Sequence, residues 1–147
     1  MKIAIIGCGT IANAAHIPSY LNNDEAEIKY FCDIIPERAQ AAVEKYGCGT
    51  AVEDYHQVLS DPEVEAVYCA VPHNLHAQVY SDVIRAGKHL LGEKPFGMDL
   101  AGFEAIKAAM AEHPEVFVRC TSEFPYYPAV QQMVKWYREG AFGRIIE

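Results

Sequence analysis

The chain has 147 residues, 51% of them apolar and 22% charged, an ordinary composition for one sizeable hydrophobic core. Twelve basic against 20 acidic residues give a formal charge of −8 with no basic run, which argues against a nucleic-acid backbone as ligand. No apolar stretch approaches the ~20 residues of a bilayer span, and the short apolar run after Met1-Lys2 is too brief for a signal-peptide core.

Lys2 to Ile6 is a nearly continuous apolar run that stops at Gly7, which suits a strand buried on both faces. A helical stretch follows from about Thr10 to Asn22. Glu27 to Cys32 reads as a second strand ending at Asp33. Pro36 opens the next helix, and Gly47 ends it. Thr50 to Val52 predicts a brief strand, and Asp54 a cap for a short helix to Leu59 or Ser60. Glu65 to Val71 is another buried-strand pattern, cut by Pro72. Asn74 is expected to cap a helix reaching Ala86, with Gly87 as its stop. His89 to Gly92 predicts a strand, Asp99 caps a helix to about Glu112, and Val116 to Cys120 is the sixth strand. Pro128 begins a last helix containing Trp136 that ends near Gly140. Gly143 to Glu147 has the look of one more strand opening.

Strand and helix alternate six times. Such alternation predicts parallel strands joined by right-handed crossovers, an α/β doubly wound sheet of the Rossmann type. The cysteines at 8, 32, 48, 69 and 120 are odd in number, scattered, and without a Cys-x-x-Cys pair. They read as free thiols of a protein in a reducing cytoplasm.

Gly7, Cys8, Gly9, Thr10, Ile11 and Ala12 follow a strand and open a helix, the context in which Gly-x-Gly-x-x-Gly/Ala binds a dinucleotide. Gly7 permits the tight turn, Gly9 lets a pyrophosphate approach the backbone, and Ala12 lets helix and strand pack closely. The helix N-terminus adds free N–H groups and a partial positive charge. Asp33 lies 24 residues beyond Gly9, at the end of the second strand, where an acid grips the adenosine ribose. A carboxylate there opposes a 2′-phosphate, so NAD is expected over NADP. Arg38, one turn into the next helix, either swings toward a phosphate or remains a surface arginine. Cys8 beside a helix N-terminus is either activated or simply small enough to fit.

A second constellation gathers at the same sheet edge. Glu93-Lys94-Pro95 follows the fifth strand, and Val71-Pro72-His73-Asn74-Leu75-His76 follows the fourth. Ligands of open α/β sheets bind at the carboxyl ends of strands. His73 and His76 share a helix start but lack a third ligand nearby, so no metal is expected. His16 stands near the pyrophosphate helix or is merely packed. His56, His89 and His113 carry no readable signal.

The combination resembles the Gfo/Idh/MocA oxidoreductase family. Its carriers are residues 7–12 with His16-Ile-Pro18, Cys32 to Ala39, Val71 to His76, Ala86 to Pro95, Tyr127 to Val130, and Gly140 to Gly143. The resemblance implies that the glycine loop and Asp33 hold the dinucleotide. It implies that Val71, Pro72, Asn74 and His76 line the nicotinamide-ribose side. Glu93 and Lys94 would reach the nicotinamide and the substrate hydroxyl, and the bond before Pro95 would be cis. Lys94 is the expected catalytic group, since an ammonium stabilises developing alkoxide as hydride leaves. The implied reaction is hydride transfer between nicotinamide and a sugar, polyol or related hydroxy compound. A non-catalytic dinucleotide-binding module or gene fragment is the alternative.

The family pattern continues with a second domain that supplies much of the substrate pocket. Residues 1–122 are therefore expected to form the dinucleotide-binding domain. Residues 123–147 would form a connecting helix and the start of a truncated domain. Glu123-Phe-Pro-Tyr-Tyr-Pro128 departs from the family's usual segment and supports no substrate inference. Phe124, Tyr126, Tyr127, Trp136 and Phe142 are expected to be exposed and to promote homo-oligomers.

Overall fold

The computed structural model describes residues 1–146. Six parallel strands form one sheet: β1 (Lys2–Ile6), β2 (Glu27–Cys32), β3 (Thr50–Val52), β4 (Ala66–Cys69), β5 (His89–Gly92) and β6 (Val118–Cys120). Their spatial order is β3-β2-β1-β4-β5-β6, which places a topological switch point between β1 and β4. The register brings Ile6 beside both Cys32 and Cys69, so β1, β2 and β4 end together at one edge.

Five of the helices are α1 (Ile17–Leu21), α2 (Pro36–Tyr46), α3 (Tyr55–Ser60), α4 (His76–Arg85) and α5 (Leu100–Glu112). A helical start at Thr10 and a π-helical turn, Ala12–His16, run into α1. Pro18 lacks an N–H and crowds the preceding turn. The widened turn accommodates it, with Ile17 N donating to Ala12 O, five residues back. Helix α2 ends at Gly47 in the left-handed conformation, as expected. The side chains of Asp54 and Asp99 cap α3 and α5.

Asn74 does not cap α4. Residues His73–Leu75 form a 3-10 turn, and α4 starts only at His76 with no side-chain cap. Pro72, with its φ of −53°, has already set the chain into that tighter turn. Gly143 to Ile146 form no strand; Glu147 of that expected element lies outside the described residues.

Alternate strand residues feed two cores. Ala4, Ile6, Val67, Cys69 and Leu90 meet Val58 of α3, Val79, Tyr80, Val83 and Ile84 of α4, and Ile106 of α5. On the other face Ile3, Ile5, Phe31 and Tyr68 meet Ala12, Ile17 of α1, and Ala39 and Ala42 of α2. This second face is covered mainly over β1–β3. Beside it a cavity of about 480 Å³ is lined by Tyr20, Tyr68, Leu91 and Phe117. Helix α6 (Pro128–Arg138) packs chiefly against the turn Phe124–Tyr126 and leaves Met133, Trp136 and Tyr137 exposed.

Candidate cofactor site

The glycine loop is held from three sides. Gly7 takes φ +93° at the end of β1, and a Cβ there would lie 2.3 Å from the Ala70 carbonyl oxygen. Only glycine allows β1 and the end of β4 to approach so closely. Gly9 has no atom within 4 Å of where its Cβ would stand, so the space above it is open. Cys8 N donates to Asp33 Oδ2 at 2.9 Å, and Ile35 N donates to Asp33 Oδ1 at 2.9 Å. From the helix, the Asn13 side-chain amide donates to Cys8 O at 2.8 Å and to Gly9 O at 3.0 Å. Tyr46 of α2 in turn donates to Asn13 Oδ1 at 3.0 Å.

Asp33 is 7% exposed and accepts one hydrogen bond at each oxygen, from the backbone N–H groups of Cys8 and Ile35. Its first role is to tie the turn to the end of β2, which the spacing alone did not suggest. Cys8 is buried, and burial followed by the Asp33 charge pushes its thiol up to about 12. The helix terminus does not activate it; Cys8 is a small core residue.

Two clefts flank the loop. The smaller, about 370 Å³, is lined by Cys8, Gly9, Thr10, Asn13 and Arg38. It lies on the β2 side, and Arg38 is exposed along it. The larger, about 770 Å³, lies over the ends of β4, β5 and β6. Ile11, His16, Val71, Glu93, Lys94 and Thr121 are among its walls. Thr121 Oγ1 is buried with no hydrogen-bond partner among the described residues. The bond between Lys94 and Pro95 is cis.

Glu93 is the most elaborately held group in the larger cleft. It is 8% exposed. Tyr68 donates its hydroxyl to Glu93 Oε1 at 3.0 Å, and His16 Nε2 lies 3.1 Å from the same oxygen. Lys94 N approaches Oε2 at 3.3 Å, and Tyr80 donates to the Glu93 carbonyl at 2.8 Å. Burial, then the Glu93 charge, pushes the Tyr68 phenol far above its ordinary value, so it serves as a donor. Lys94 is exposed on the wall of the same cleft.

The segment after β4 departs from expectation. Val71 lines the larger cleft, as does His73, but Pro72 and Asn74 are not among its walls. His76 is 0% exposed and offers no surface to a ligand. Its ring nitrogens lie 2.6 Å from Pro95 O and 3.0 Å from Val71 O, and it stacks on Tyr80 with ring centres 4.6 Å apart. His76 thus pins the loop after β4 to the loop after β5. The reason is steric: the 3-10 turn starts α4 late and directs residue 76 inward.

Ala12 is fully buried and lets the helix sit on the sheet, while Thr10 and Ile11 are exposed, one at each cleft. Tyr68, Tyr80, Asn13 and Thr121 escaped sequence reasoning. The tyrosines sit in apolar runs where they read as core, which they also are. Asn13 carried a usable signal, since a side chain four residues past Gly9 faces back over the loop.

Residues 1–120 match the Gfo/Idh/MocA family model, described as an oxidoreductase family with an NAD-binding Rossmann fold. The dTDP-3,4-didehydro-2,6-dideoxy-alpha-D-glucose 3-reductase of Actinomadura kijaniata is 30% identical over 145 residues, covering 99% of this chain and 43% of that protein. Inositol 2-dehydrogenase/D-chiro-inositol 3-dehydrogenase of Lactiplantibacillus plantarum is 28% identical, covering 97% of this chain and 41% of its own length. Among solved structures, the 3-ketoreductase KijD10 of A. kijaniata, in complex with NADP and TDP-benzene, superposes with a TM-score of 0.85. Its identity is 30%, and the match covers 95% of this chain and 42% of that one. The chain spans less than half the length of these relatives.

Proposed function

The chain belongs to the Gfo/Idh/MocA oxidoreductase family, and from that premise we propose that it is the cofactor-binding domain of an NAD(P)-dependent oxidoreductase. Its substrate would be a sugar, polyol or related hydroxy compound. The observation that carries the reading is the open cradle at Gly9, set at the strand ends between two clefts. A pyrophosphate over Gly9 would meet the free N–H groups of the helix start. The adenosine would occupy the cleft of Thr10 and Arg38, and the nicotinamide the cleft of Glu93 and Lys94.

When bound, the dinucleotide supplies hydride exchange at its nicotinamide. The protein supplies position and charge. Lys94 would donate to a substrate hydroxyl oxygen and stabilise negative charge as it develops there. Val71 would bound the nicotinamide side. His76, fully buried, acts at a distance by fixing the two loops, while Pro72 and Asn74 stand outside the walls of the larger cleft. Asp33 holds the turn and places a carboxylate at the end of β2.

NAD is the coenzyme we propose. The Asp33 charge opposes a 2′-phosphate, and Arg38 is the counterweight that would accept one. We further propose that residues 1–122 are the dinucleotide domain and 123–147 a connecting helical segment, that the protein self-associates, and that it works in a reducing compartment. Five unbridged cysteines support the last point. No described helix is long and apolar enough to cross a membrane.

Calorimetry on the 147-residue chain with oxidised and reduced NAD and NADP tests the reading. Binding in the micromolar range is expected, tighter for NAD by about tenfold, the scale of one hydrogen bond to a charged group. Flat titrations with all four coenzymes on folded protein would overturn it.

A further inference from the structure

His16 makes a contact for which the expected chemistry has no use. In an α-helix, a residue five positions beyond Ile11 would lie about 140° round the axis. The π-helical turn ahead of Pro18 brings His16 back to the face of Ile11, toward the larger cleft. There its ring stacks on Tyr68, centres 4.1 Å apart and planes 20° from parallel, and Nε2 reaches Glu93 Oε1. Tyr68 donates to the same oxygen, and Lys94 N approaches the other. Two hydrogen-bond donors and the His16 ring, from three segments, therefore meet at one carboxylate. Such a carboxylate keeps its place at low exposure.

We propose that His16 is a positioning residue that holds Glu93 as a fixed anion in the larger cleft, and that this anion makes the domain prefer the oxidised over the reduced dinucleotide. The inference rests on the reading that this cleft takes the nicotinamide. The oxidised ring carries a positive charge and the reduced ring does not. A fixed anion beside it attracts only the oxidised form, and a ligand shifts an equilibrium only through such differential affinity. Lys94 and Arg119 line the same cleft and oppose the bias, while Glu123 adds to it. Glu93 differs from all three in being buried and held from several sides, where charge acts through less water.

The test is the ratio of dissociation constants for reduced and oxidised coenzyme, measured by calorimetry on the 147-residue chain. Glu93→Gln should lower that preference for the oxidised form by roughly five- to tenfold, as removal of one nearby charge requires. His16→Leu should lower it in the same direction, by about half as much on a logarithmic scale. His16→Gln, which keeps a polar side chain with an N–H beside Glu93, should recover the parent ratio. Tyr68→Phe keeps the ring under His16 while removing the second donor, and should act like His16→Leu. A parent chain that binds both forms, with the ratio unmoved by Glu93→Gln, overturns this inference and leaves the cofactor reading intact. A ratio moved by Glu93→Gln but equal in His16→Leu and the parent overturns the positioning role of His16. A folded parent that binds neither form overturns the cofactor reading and this inference with it.

Discussion

Gly7 and Gly9 lie two residues apart, yet substitution should separate fold from function. Gly7→Ala would thrust a methyl group into the Ala70 carbonyl from a left-handed backbone. We expect a loss of about 3 kcal/mol or more in urea denaturation, from strain and overpacking together. Gly9→Ala meets nothing within 4 Å and should keep the parent melting temperature. Its methyl group would fill the cradle, so calorimetry should show coenzyme binding weakened at least about tenfold. Arg38→Ala offers a second separation, between coenzymes. It should weaken NADP and leave NAD within about twofold, since Arg38 lines the smaller cleft and only a 2′-phosphate needs its fork. The fingerprint glycines and Asp33 were legible because spacing and context specify them. The inward turn of His76 was not, because it depends on where α4 begins, which Pro72 and the loop after β5 decide together.

Helix starts are local events. Asp99 shows this, since its carboxylate takes the N–H of Gly102 at 2.7 Å and sequence reading placed the cap correctly. Asp99→Ala should cost about 1 kcal/mol by chemical denaturation without altering coenzyme affinity. The same local logic failed at Asn74, where the chain turns in a 3-10 conformation before α4 can form. It was also silent on the π-helical turn, although Pro18 was in plain view. Proline says that a helix must adjust but not how. A kink, a break and a widened turn all relieve the same clash, and the choice here comes with the docking of Ile17 in the core. His16 reaches Glu93 only through that choice, so its role could not be read from the residues around it.

The whole molecule is unevenly finished. One sheet face is covered by α3, α4 and α5, the other mainly over β1–β3. Phe124, Tyr126, Tyr127, Trp136 and Phe142 are all exposed, as their sequence positions led us to expect. Multi-angle light scattering should therefore show concentration-dependent self-association, and a clean monomer at high concentration would refute it. Charge also binds the sheet together at its far edge. Lys29 holds the Asp61 carboxyl far below its usual range, and Lys2, then Lys29, hold Glu63 below its own. These groups bind protons more weakly folded than unfolded, so their contribution is present above the ordinary carboxyl range. It is lost as the pH falls through the folded values. Melting temperature should hold steady above about pH 5 and fall below about pH 4, where free carboxyls begin to protonate. Local sequence was enough to specify the parallel sheet, the glycine turn after its first strand and the two loops that converge beside it. Strand runs, glycine spacing and helix stops are set within a few residues and survive wherever the chain is placed. Which side chains line the clefts, and which hold those that do, depended on long-range packing. Glu93, His16 and Tyr68 lie far apart along the chain, and they meet through the order of the strands and one widened helical turn.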